Sequence, residues 1–282
     1  MTQIPRSPQA LICVGEKDPD PAAIQMAEEV SKALGLDPVL LHVQRTGGHP
    51  QESAQLLEAT QNSLSSEPER VIQVEGKFET QVLEELESEQ FRLVVVGTSS
   101  HEDDSLTDRA QHVAMHAADS VLVIHNASPE VNHILLCTGG HSESYRAVAW
   151  GLQLAESLSA ELTVLHVVTT TPSMYTGLNA LEEGVEEVLC RETPLAQHLK
   201  EAAQRAEECG VNAKIELRHG MVAEEILRAC EMESYDLVVI GSPDPRALLS
   251  RLTLGRVAPQ LLASTPISIL IVRSAVEVPA EA

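Results

Sequence analysis

Residues 236–273 read DLVVIGSPDPRALLSRLTLGRVAPQLLASTPISILIVR, and how that stretch divides decides the fold. Asp236-Leu-Val-Val-Ile240 is a continuous apolar run of the kind that a parallel strand covered on both faces requires. Gly241-Ser242 can turn sharply and bring backbone N–H groups close to an anion. Pro243 and Pro245 forbid helix through the next loop, Gly255 reopens regular structure, and Val257, Leu261 and Leu262 recur at helical spacing. Ile267-Ser-Ile-Leu-Ile-Val272 resumes as strand. This order leaves one place for a ligand, because a helix beginning just beyond the loop aims its positive end back at it.

The same unit occurs twice. Ala10-Leu-Ile-Cys-Val14 before Gly15 matches Ile134-Leu-Leu-Cys-Thr138 before Gly139, and Val39-Leu-Leu-His42-Val43 matches Thr163-Val-Leu-His166-Val167, both 124 positions apart. Glu75-Gly76 answers His219-Gly220 and Leu93-Val-Val-Val96-Gly97 answers Leu237-Val-Val-Ile240-Gly241, now 144 apart, so the second copy carries twenty more residues between its second and third strands. Val121-Leu-Val-Ile124 pairs with Ile269-Leu-Ile-Val272 at 148. Between the runs lie amphipathic patterns. Pro21 to Leu34 sets Ile24, Ala27, Val30 and Leu34 on one face and acids on the other, with Gly35 as the stop, and Tyr145 to Leu158 is its counterpart. Short apolar runs alternating with helices, without hairpin signals, predict right-handed βαβ units and parallel strands. The expected fold is α/β, with two repeated domains at 1–126 and 132–282, each a five-stranded parallel sheet with helices on both faces. Asn126 to Val131 is the expected linker.

Composition bounds the function. The chain is 43% hydrophobic but only 2% aromatic, so its cores are expected to be aliphatic. Forty-two acidic against nineteen basic residues, only five of them Lys, leave a net charge of −23, which repels nucleic acid and anionic membranes. That acidity fits a salt-rich cytoplasm or simply an acidic protein. No apolar run approaches the roughly 20 residues that span a bilayer, so a soluble, cytoplasmic protein without nucleic-acid or membrane partners is expected. Five cysteines without a C-x-x-C argue against a disulfide framework, and Cys13 and Cys137 read as small buried hydrophobes.

LLCTGGHSESYRAVAWGLQLA, VLHVV, HGMVAEEIL, DLVVIGS, LGRVA and ISILIVR, in that order, resemble the universal stress protein family in its tandem two-domain form. The resemblance covers both halves. It implies a Rossmann-like, adenine nucleotide alpha hydrolase-like sheet whose ligand crevice lies at the carboxyl ends of the first and fourth strands. Members that hold ATP look like G-x2-G-x9-G-S/T through the fourth-strand loop, with an acid after the first strand reading the adenosine. Here the first glycine is Gly241, Asp244 stands at the second position, Gly255 is displaced by one residue, and Arg256 replaces the hydroxyl. Gly139 replaces the acid.

These departures have physical consequences. Asp244 blocks close backbone approach, and its charge repels a phosphate by about 1 to 4 kcal/mol at 4 Å in water-like to intermediate dielectrics. Arg256 can offer phosphate a charge-assisted pair, with Arg246 and Arg251 either adding to it or lying in solvent. In the first half Gly15 again replaces the acid, and residues 98–108 bring four acids and no glycine. ATP or another adenine nucleotide is therefore expected weakly, in the second domain only, around Gly139, Gly140, Val168, Gly241, Ser242, Gly255, Arg256 and Val257. No catalytic set is assembled. The expectation is a binding or regulatory stress-response module without robust turnover, ahead of slow ATP hydrolysis and of an adenylating enzyme of the ATP pyrophosphatase type, which Thr138-Gly-Gly-His-Ser142 only partly resembles.

Asp108, His112 and His116 share a helix face at i+4 spacing, as zinc ligands can, but Val113 and Ala117 mark the buried stripe and leave the trio on the solvated side. His42 and His166 are structural by the resemblance. Residues 169–177, followed by one acidic helical pattern from about 179 to 209, belong to the second half only, as a lid or as a longer solvated helix. The fifth strands, apolar and by family order at a sheet edge, predict pseudo-twofold pairing of the two domains inside the chain and allow a homodimer. A regulatory protein partner is expected, of unknown identity.

Overall fold

Every residue of Gln9–Val14, Ser120–Ile124 and Ser268–Arg273 is buried except for traces of surface. Strands this apolar must be covered on both faces, and alternate side chains serve different layers. The computed structural model describes residues 7–15, 20–97, 104–140, 144–169, 185–242 and 257–273. The first half runs β1 (Gln9–Val14), α1 (Pro21–Ala33), β2 (Asp37–Gln44), α2 (Pro50–Ser63), β3 (Arg70–Glu75), α3 (Phe78–Ser88), β4 (Leu93–Gly97), α4 (Asp104–His116) and β5 (Ser120–Ile124). The second runs β6 (His133–Thr138), α5 (Tyr145–Leu158), β7 (Glu161–Val168), α6 (Val185–Leu189), α7 (Pro194–Glu208), β8 (Ala213–His219), α8 (Val222–Met232), β9 (Leu237–Ser242), α9 (Val257–Ser264) and β10 (Ser268–Arg273).

The fold is α/β, two repeated units of five parallel strands with helices on both faces. Ala10, Ile12 and Val14 of β1 pack with residues of α1, α2, α5 and α7 in one apolar layer. Leu11 and Cys13 face the opposite layer, with α3, α4, α8 and α9.

The two sheets are continuous. Strand order is β3-β2-β1-β4-β5-β10-β9-β6-β7-β8, and β5 meets β10 antiparallel through Ile269 opposite Val123, Leu270 opposite Leu122 and Ile271 opposite Val121. The remaining neighbours are parallel. Two hydroxyls extend this junction. Ser268 Oγ donates to His125 O at 3.0 Å, and Ser120 Oγ, 148 positions earlier, accepts from Arg273 N at 3.1 Å. The outer edges are then β3 and β8. Both are partly exposed, and β8 carries the charged series Lys214, Glu216 and Arg218, which discourages further strand pairing.

Two expectations need correction. The single helical pattern over 179–209 divides: α6 ends at Leu189, and α7 starts afresh at Pro194, where Thr193 caps it by accepting from Ala196 N at 3.2 Å. α7 lies 144 positions after α2 and is its counterpart, so the second half's own addition precedes it; residues 170–184 lie outside the described set. The acids of α1 do not all face solvent either. Glu28 is 3% exposed and accepts from the backbone N–H and hydroxyl of Ser65 at 2.7 and 2.9 Å, from those of Ser66 at 3.1 and 2.8 Å, and from Lys32 Nζ at 2.6 Å.

Candidate functional site

Cys137 of β6 lies opposite Ile240 of β9, which brings Thr138-Gly139 beside Gly241-Ser242 at one end of the sheet. On the other side of β6, Thr138 is registered with His166 of β7, and Val168 ends that strand two residues later. The chain continues from β6 toward β7 on one flank while β9 lies on the other. A crevice opens where connections diverge in this way. Gly139, Gly140, Val168, Gly241 and Ser242 are thus brought to the carboxyl ends of three adjacent strands, and Val257 opens α9. Gly255 and Arg256, with Asp244, Arg246 and Arg251, lie outside the described residues.

The loop after β6 is organised differently from its expected role. Gly139 N–H donates to Ser144 Oγ at 3.1 Å, and Gly140 N–H donates to Thr138 Oγ1 at 3.3 Å. Both donors that could face an anion are therefore engaged by the loop's own hydroxyls. Thr138 Oγ1 also lies 2.6 Å from Nε2 of His198, a buried residue of α7, while its carbonyl lies 2.8 Å from Nδ1 of His166. Gly140 has φ +73°, and a Cβ there would stand 2.8 Å from Leu195 Cδ1 and 3.1 Å from His166 Cε1. Only glycine suits both the turn and that approach. Tyr145 extends the cluster: its ring centroid is 5.1 Å from that of His198, and its hydroxyl donates to Glu201 at 3.0 Å.

The end of β9 is more open. A Cβ on Gly241 would have Ala147 Cβ at 3.5 Å and Ser144 Cα at 4.0 Å as its nearest neighbours, so a methyl there would sit in ordinary contact with the start of α5. Behind it stands Arg273, the 4% exposed last residue of β10, whose Nη1 donates to Ser242 Oγ at 2.7 Å. Arg146 of α5 donates to the carbonyl of Arg273 at 2.9 Å and lies 5.2 Å from the ring centre of Trp150. Burial and the nearby Arg92 lower the pKa of the Arg146 guanidinium, with Asp119 acting in the opposite sense.

The first half offers no such support. His125 corresponds to Arg273 by the 148-residue spacing, and Ala22 corresponds to Arg146 by the 124-residue spacing. Gly97 ends β4, and residues 98–103, where two of the expected acids, Glu102 and Asp103, fall, lie outside the described set. On α4, Asp108 and both histidines are exposed; His112 and His116 stack with centroids 4.2 Å apart, and His116 Nδ1 lies 2.8 Å from His112 O. Among the described residues no group of three His, Cys, Asp or Glu side chains could hold a metal ion.

Burial raises the thiol pKa of Cys13 and Cys137, and pushes Cys230 to about 11. Cys13 is buried as expected, whereas Cys137 is only partly so. His42 and His166 are buried at 2% and 9% exposure within their strands. Among the described residues no helix is long and apolar enough to cross a membrane.

Sequence reading named neither His198 nor Arg273. His198 lies 60 positions from Thr138 and has no local signature. Arg273 did give a signal, a charged residue directly after the apolar run Ile269 to Val272, where burial demands polar partners.

A doubly wound, mostly parallel sheet with this strand order defines a Rossmann-like fold class. The model of the universal stress protein family matches residues 130–273, and the chain belongs to that family. A universal stress protein of Methanocaldococcus jannaschii is 28% identical over 151 residues, which is 54% of this chain and 87% of the relative. Universal stress protein YxiE of Bacillus subtilis is 30% identical over 148 residues, 50% of this chain and 99% of the relative. These relatives correspond to about one half of the chain. A solved universal stress protein of Archaeoglobus fulgidus covers 94% of this chain and 98% of its own, with a TM-score of 0.64 at 11% identity. At that identity the likeness speaks for the fold alone.

Proposed function

We propose that this chain is a tandem stress-response binding or regulatory module without robust catalysis, whose second half offers a weak site for an adenine nucleotide. The observation that carries the reading is the end of β9: Gly241-Ser242 lies beside Thr138-Gly139 at the carboxyl end of the sheet, and Ser242 stands against the buried Arg273 guanidinium. A strand end at such a crevice with a cation beside it suits a phosphate. The opposite wall supports weakness. Gly139 occupies the place of the adenosine-reading acid, and the N–H groups of Gly139 and Gly140 are already bonded. A missing bond to a charged group forfeits about 1.5 to 3 kcal/mol, roughly one to two decades of affinity.

The tests are direct. Mass spectrometry of small molecules released on denaturation should show no stoichiometric nucleotide, and calorimetry with ATP should give binding far weaker than nanomolar. Nanomolar affinity, or loss of binding on Gly97→Ala in the first half, would show the site to be misplaced. Substrate-dependent release of pyrophosphate would instead identify an adenylating enzyme.

A further inference from the structure

The side chain of Arg273 joins the two halves at the proposed site. Its Nη1 donates to Ser242 Oγ at 2.7 Å, within the second half, while its Nη2 donates to the carbonyl of Ala114 in the first half. Ala114 belongs to the last turn of α4, where carbonyls lack helical donors and the helix end is negative. The backbone of Arg273 spans the same boundary: its N–H donates to Ser120 Oγ of β5 at 3.1 Å, and its carbonyl accepts from Arg146 of α5 at 2.9 Å. A planar guanidinium held at both terminal nitrogens has little freedom to turn, unlike an ammonium on a flexible stem.

We infer that Arg273 is a positioning residue through which the first half sets the phosphate affinity of the second: α4 anchors the guanidinium, and the guanidinium fixes Ser242 at the end of β9. The inference rests on the nucleotide reading above and goes beyond it, because it gives the first half a part in a site it does not line. A nucleotide that presses on Ser242 then acts on the contact between α4 and β10, and tightening of that contact strengthens the site in return. Adenosine, which lacks phosphates, should be indifferent to this link.

The experiment is calorimetry with ATP and with adenosine on the full chain, unmodified and as Arg273→Gln, Arg273→Lys, Ser242→Ala and Arg273→Gln/Ser242→Ala. Circular dichroism shows which variants fold; Arg273→Lys keeps the charge but not the two-pronged contact, and so stands in if Arg273→Gln fails to fold. The expected result is a loss of about tenfold in ATP affinity for Arg273→Gln, Arg273→Lys and Ser242→Ala, with adenosine unchanged. The double variant should be no weaker than the weaker single, because both changes cut one linkage. Unmodified protein that binds ATP beside Arg273 variants that bind it equally well, or losses that add in full, would overturn this inference and leave the nucleotide site standing. Absence of ATP binding in the unmodified protein would remove the nucleotide reading, and this inference with it.

Discussion

Thr138 Oγ1 lies 2.6 Å from His198 Nε2, tying the end of β6 to the second turn of α7 across 60 residues of sequence. The contact is buried on both sides, so its removal leaves a polar nitrogen with one bond fewer in an apolar layer. Thr138→Val should cost about 1 to 3 kcal/mol in urea unfolding of the full chain, and Thr138→Ser should restore most of it. Equal stability of the valine variant would mean that the pair does not hold α7 in place.

Glycines on the two walls of the crevice should answer alanine differently. Gly140→Ala meets both a positive φ and the held ring of His166, and should destabilise by about 1 to 3 kcal/mol. Gly241→Ala meets only ordinary contacts and should change stability by no more than about 0.5 kcal/mol. Its expected effect is on binding, because Gly241 lies at the strand end where the proposed phosphate would meet the backbone. Thermal unfolding with ATP titration checks both, and Gly241→Ala that binds as the unmodified chain does would place the ligand elsewhere.

Glu28 makes stability depend on acid. Burial alone would raise its pKa, but bonds from Lys32, the Ser65 backbone, Ser66 and the Ser65 hydroxyl outweigh burial and bring it from 4.5 down to about 2. A depressed folded pKa means a contribution fully present above pH 4.5 and lost as pH falls from there toward 2. Its size is on the order of 3 kcal/mol. The difference in unfolding free energy between the unmodified chain and Glu28→Gln should therefore be largest near neutrality and shrink through that window. A difference that stays constant with pH would assign the effect to packing.

The junction between β5 and β10 should make each half dependent on the other. Residues 1–126 expressed alone would present the apolar edge Val121 to Ile124, and self-association or aggregation is the expected outcome in light scattering. A stable, soluble monomer would show that the antiparallel pair is dispensable.

The repeated βαβ architecture could be read from the sequence because its signals are local. Leu237-Val-Val-Ile240 is apolar at every position and must be covered on both faces, and Pro21 and Gly35 bracket an amphipathic stretch that folds as α1, with Gly35 at φ +68°. The same runs recur at fixed spacings, so each half repeated the inference drawn from the other. The crevice is an expectation carried by the family resemblance, and the strand register brings Gly139, Gly140, Val168, Gly241 and Ser242 to that end of the sheet. Only the tertiary structure decided what those residues face. Glu28 looked like a solvated acid until Ser65 and Ser66 came within reach, 37 and 38 positions on. Gly139 and Gly140 looked like donors until Ser144 and Thr138 took their N–H groups, and Arg273 looked like the end of a strand until it met Ser242, 31 positions away, and Ala114, 159 away. Periodicity records which side of an element is buried, whereas a hydrogen bond is set by the distance and direction between groups that only packing brings together.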